Sequence, residues 1–187
     1  MASLRIIKMN YVFVIALTFC VCVASTAFNI EKKNGWWRNM LFVCALAAGQ
    51  GLMYWLGSLL GGTFMYKFES FAKVIVLLLC FMIAFRMVMD TLKIKGGKNL
   101  FLIDKPKQLI FLAIALGINA LIAGLMAGDA FLPLFGKFTP LYIIGISLVW
   151  GFIGIGTKFS QTKLLINSLL NFVSALAILA TGIVAII

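Results

Sequence analysis

FVIALTFCVCVA, residues 13–24, holds two thiols and no charge in an unbroken aliphatic and aromatic run. Such a run does not alternate apolar with polar residues, so it is not a barrel strand, and it is apolar on every face, so it is not a surface helix. It reads as the centre of a membrane-spanning helix, and the rest of the chain repeats the theme. Of 187 residues, 64% are hydrophobic and 11% charged, with a mean hydropathy of +1.13, well beyond the apolar share of a soluble domain.

A span needs roughly 20 apolar residues. Apolar runs between their punctuation predict six, near residues 9–30, 40–61, 71–92, 109–127, 141–157 and 164–186. The expected fold is all-α: one polytopic transmembrane domain over 1–187, in contact with the lipid bilayer and with no room for a separate soluble domain.

The net charge of +11 does not call for nucleic acid, because the basic residues sit in short connectors where membrane topology demands them. Connectors after the first, third and fifth spans carry ten of the 16 Lys and Arg residues, among them Lys32, Lys33, Arg38, Lys93, Lys95 and Lys98. The richer side is expected to be cytoplasmic. Both termini then face outward across a plasma (bacterial inner) membrane, with Trp36 and Trp37 anchoring the inner interface.

Histidine is absent, which removes imidazole metal sites, His-based acid-base chemistry and the usual triads. The four cysteines (Cys20, Cys22, Cys44, Cys80) all lie in apolar runs and show no disulfide spacing. No enzyme is expected and no cofactor; a metal ion would enter as cargo.

The N-terminus also fits a signal peptide, since Arg5 and Lys8 precede the apolar run and Val23-Ala24-Ser25 ends it with small residues. An internal repeat argues for a working helix instead. IALTFCVCVAS (15–25) lies over IALGINALIAG (114–124), matching span one to span four. Three helices per half give the halves opposite orientations, an inverted-repeat transporter plan with repeats at about 9–92 and 109–187 and a site at the midplane.

In that alignment Cys20 lies over Asn119, each flanked by alanines four residues away (Ala16 and Ala24, Ala115 and Ala123). Small residues at that spacing mark a face of close helix approach, so both side chains are expected to point inward. Cys22 lies about 200° further round and points elsewhere. Span two carries Gln50 with Gly57 and Gly61, and span five carries Ser147 with Gly151 and Gly154, in comparable arrangements. A glutamine in hydrocarbon must bond inside the bundle, either as glue between helices or as part of a site. Arg86 and Asp90 form an i,i+4 pair late in span three; the plain expectation is that Arg86 snorkels toward the inner interface near Lys93, the functional one that it forms a gate or switching ion pair. Asp129 is expected at the outer mouth.

At these residues the chain resembles the MntP-type manganese efflux pumps of the LysE-like transporter superfamily, six-helix proteins of two inverted three-helix repeats. The resemblance covers nearly the whole length. FRMVMDTLK (85–93) is similar to that family's arginine-methionine-apolar-apolar-acid segment, and AIALGINALIAG (113–124) and AAGQGLMYWLG (47–57) to two more of its helices. It implies a substrate-binding set of Cys20, Gln50, Asn119, Asp90 and Arg86, to which the small-residue arrangement of span five adds Ser147, with Cys20, Asp90 and Asn119 as the candidate metal ligands. Where that family carries acids, this chain has Cys20, Gln50 and Asn119. The resemblance therefore implies an exporter whose cargo, a divalent cation or a small solute, is altered. The alternative is a degenerate member that no longer transports and serves as a membrane subunit for another protein; a homodimer in place of such a partner would count against that alternative.

Overall fold

The computed structural model describes residues 2–31, 36–67, 71–95, 106–126, 138–156 and 161–184. They form six α-helices: α1 (Ala2–Glu31), α2 (Trp36–Lys67), α3 (Ala72–Lys95), α4 (Pro106–Met126), α5 (Thr139–Gly156) and α6 (Gln161–Val184). No strand occurs among the described residues. Long apolar sequences turn helical because a helix satisfies each backbone N–H and C=O within its own segment, and the hydrocarbon supplies no other partner. The stretches Trp36–Thr63, Ala72–Leu92, Gln108–Met126, Thr139–Gly156 and Leu165–Val184 are each long and apolar enough to cross a bilayer, and α1 contributes the apolar stretch Tyr11–Thr26. The protein is a multi-pass membrane protein. Asp129 lies outside the described residues, as do most of the connector lysines.

The close contacts fix the helix directions. Along α2 and α4 the pairs rise together: Gly49 faces Ala113, Met53 faces Gly117 and Gly61 faces Leu125, so these helices are parallel. Phe19 meets Trp150 and Ser25 meets Gly154, which makes α1 and α5 parallel. Gly51 faces Ile144 while Gly151 faces Val43, so α2 and α5 are antiparallel. Cys80 faces Met126 while Arg86 reaches Ala115, setting α3 against α4. Cys80 also lies against Gly182 and Thr91 bonds Asn171, setting α3 against α6. Together these contacts make α1, α3 and α5 run one way and α2, α4 and α6 the other, the alternation that six successive crossings require.

Helix α1 is the axis of the bundle. From Phe13 to Thr26 every residue except Ile15 is buried, and the helix packs against α2, α4, α5 and α6. That position explains the opening sequence: a helix enclosed by protein on all sides has no face to spare for charge, and a thiol is a small apolar filler there. Cys22 is buried with Phe19 and Val23 beside Trp150 of α5. Around this axis, large apolar side chains such as Leu52, Leu78, Phe81, Phe111, Leu141 and Leu169 face outward, as a lipid-facing surface requires.

Candidate functional site

Gln50 is fully buried near the middle of α2. Its Nε2 donates to Cys20 Sγ of α1 at 3.3 Å and to the Leu116 carbonyl of α4 at 3.2 Å. One side chain thus ties three helices at one level. Cys20 donates its own thiol hydrogen to Leu17 O at 3.3 Å. The close approach that lets a glutamine span this gap is prepared by α2 and α4 themselves: a Cβ on Gly49 would stand 3.1 Å from that of Ala113, and one on Gly117 would press on Met53.

Asn119 is 1% exposed, one turn along α4 from Leu116. Helical side chains lean back over the preceding turn, which brings Asn119 over the carbonyls of Ala115 and Leu116. The Arg86 guanidinium of α3 donates to the first of these and Gln50 to the second. Arg86 therefore turns inward to α4 rather than snorkelling toward Lys93: the α4 carbonyl gives its N–H a partner at the depth where the side chain starts. Asp90, one turn further along α3, is partly exposed. The charges of both Asp90 and Arg86 lie within electrostatic reach of Cys20.

Ser147, midway along α5, is 0% exposed, and no hydrogen bond joins it to the other five residues. The structure thus gathers Cys20, Gln50, Arg86 and the Asn119 turn at one level and leaves Ser147 on the adjoining face. Gln50 Oε1, Asn119 Oδ1 and Ser147 Oγ have no partner in the protein, as is also true of Ser25 Oγ, Asn39 Oδ1, Asn171 Oδ1 and Trp150 Nε1 elsewhere in the bundle. Buried polar atoms are nearly always satisfied, so unsatisfied oxygens beside the Gln50 bridge mark a place able to take a cation or a hydrogen-bond donor. Among the described residues no three His, Cys, Asp or Glu side chains cluster as a metal centre would require.

A second polar seam escaped the sequence reading. Asn171 of α6 donates to Met87 O at 3.2 Å and to Thr91 Oγ1 of α3 at 3.0 Å; Ser168 Oγ reaches Thr91 O at 3.4 Å, and Asn167 bonds Thr26 of α1 at 2.9 Å. The signal was present in INSLLNFVS (166–174), whose polar residues recur at helical spacing.

No family model and no solved structure matches the chain. A Bacteroides thetaiotaomicron protein that carries the name of a manganese efflux pump, MntP, is 30% identical over 149 residues, covering 78% of this chain and 77% of that relative. The matched length takes in most of the six-helix bundle, and the chain belongs to the MntP-type manganese efflux pump family.

Proposed function

We propose that the chain exports a cation across the bacterial inner membrane, by alternating access of two inverted three-helix halves around Cys20, Gln50 and Asn119. Arg86 and Asp90 border the site, and Ser147 is buried on the neighbouring helix α5. The observation that carries this reading is the Gln50 bridge: a single amide links α1, α2 and α4 at mid-helix, beside acceptor oxygens left without partners. The name of the Bacteroides relative brings Mn²⁺ as a first cation to test.

The packing supports two like halves. Exchanging α1 with α4, α2 with α5 and α3 with α6 turns the α2–α4 contact into the α1–α5 contact and leaves the α2–α5 and α3–α6 contacts in place. The detail agrees. Gly57 packs on the Leu121 carbonyl and Gly124, while Gly154 packs on the Cys22 carbonyl and Ser25. The shift that lays Cys20 over Asn119 also lays Cys22 over Leu121 and Ser25 over Gly124. One shift likewise takes Gln50 to Ser147 and Gly57 to Gly154. In an inverted repeat these two close approaches fall on opposite sides of the central residues, as gates to the two sides of the membrane would. Both termini are proposed to lie outside, from the lysine distribution.

The test is the cation content of cells with and without the gene, alongside Cys20→Ala, Gln50→Ala and Asn119→Ala. The reading expects lower content of the exported cation with the intact gene and loss of that effect in at least the Gln50 and Asn119 variants. Three variants that all match an active wild type would remove the site.

A further inference from the structure

We propose that the central site takes a singly charged cation in preference to a dication. This rests on the export reading above and names its cargo class.

The ligand set comes first. Gln50 spends its N–H donors on Cys20 Sγ and Leu116 O. A carbonyl can only accept, so the bond to Leu116 O fixes which end of the amide is the NH₂ and leaves Oε1 as the free end. That oxygen is buried and unpartnered, as are Asn119 Oδ1 and Ser147 Oγ; the three residues are no more than 1% exposed. The Cys20 thiol donates to Leu17 O and its sulfur accepts from Gln50. The site therefore offers lone pairs from neutral groups. Unsatisfied amide acceptors in a low-dielectric interior favour a positive partner.

Charge sets the valence. The chain has five acidic residues, Glu31, Glu69, Asp90, Asp104 and Asp129, and among the described residues only Asp90 falls within an apolar span. Arg86 stands one turn away on the same helix, turned toward α4, and both act on Cys20. The two carry opposite charges, so together they add no net charge. The cost of dehydrating an ion rises with the square of its charge, whereas its attraction to a fixed set of neutral dipoles rises only in proportion to the charge. Moving a singly charged ion into a dry interior already costs on the order of 20 kcal/mol in the ideal limit. Amide and hydroxyl oxygens able to offset that amount fall far short for a dication, whose protein sites are built with carboxylates. The orphaned oxygens, with one acidic and one basic side chain near them, fit one positive charge.

The purified full-length protein in proteoliposomes loaded with radiolabelled Na⁺, Rb⁺ or Mn²⁺ gives the test, with Asn119→Asp as the variant. That substitution keeps the side-chain shape and adds one negative charge beside an oxygen that is already unpartnered. The wild type is expected to release at least one of the singly charged ions roughly tenfold faster than Mn²⁺, and Asn119→Asp to raise Mn²⁺ release relative to that ion by roughly tenfold or more. Wild-type release of Mn²⁺ as fast as of both singly charged ions, or faster, overturns the proposal and leaves the export reading intact. Release of none of the ions by wild type or variant overturns the export reading and the proposal with it. The wild-type comparison decides even if the variant fails to fold; a folded Asn119→Asp with unchanged selectivity removes Asn119 as a ligand.

Discussion

Gln50 Nε2 stands 3.3 Å from Cys20 Sγ, joining the bundle's axial helix α1 to α2, while the same nitrogen reaches the Leu116 carbonyl of α4 at 3.2 Å. An interhelical hydrogen bond inside a membrane protein is worth about 0.6 kcal/mol on average. Gln50→Leu, which keeps the volume, is expected to cost about 1 kcal/mol in a detergent melt while abolishing cation export. Retained export in Gln50→Leu would reduce this residue to structural glue.

Arg86 gives a sharper discrimination between an inward and an outward role. Its guanidinium holds the Ala115 carbonyl in the turn before Asn119. Lysine keeps the charge on a compact, strongly hydrated head that lacks the planar fork. Arg86→Lys is expected to lower export about tenfold with the protein still folded. An arginine merely reaching for the interface would be replaced by lysine without loss, so wild-type export in this variant contradicts the inward assignment.

Helix approach is tightest where glycine leaves no side chain. A Cβ on Gly57 would land on the Leu121 carbonyl and one on Gly154 would sit 2.6 Å from the Cys22 carbonyl, whereas at Gly62 it would meet nothing. Gly57→Ala and Gly154→Ala are therefore expected to destabilise by about 1–3 kcal/mol through overpacking. Gly62→Ala should match or exceed the wild type. Thermal unfolding of the three proteins checks the ranking; equal melting points would refute these close approaches.

Register along α2 and α4 is open to chemistry. With the two Cβ positions at Gly49 and Ala113 about 3.1 Å apart, slightly closer than the separation usual across a disulfide, Gly49→Cys with Ala113→Cys in a chain lacking the native cysteines is expected to cross-link under mild oxidation. Gly61→Cys with Ala113→Cys, three turns out of register in a parallel pair, should not. Cross-linking of the second pair in place of the first would mean α2 and α4 are not parallel.

Much of this was legible before any coordinates. Hydropathy alone set the six helices, because a dry solvent leaves the backbone few options, and the alanines flanking Cys20 and Asn119 marked those residues as inward-facing, where both are buried. Arg86 was harder: depth along a helix is readable from spacing, but whether a long side chain bends toward a neighbouring carbonyl or toward water depends on which helix stands beside it. The α3–α6 seam of Thr91, Ser168 and Asn171 was missed for a related reason. Isolated asparagines and serines in an apolar run look alike until pairing of α3 with α6 sets them opposite one another.

The account stands most directly on whether the Asn119 position meets water from both sides of the membrane in turn. In a chain carrying Asn119→Cys as its sole cysteine, a membrane-impermeant thiol reagent is predicted to modify that residue in right-side-out and in inside-out vesicles. Modification from neither side, in a protein that still folds, would contradict alternating access around this residue.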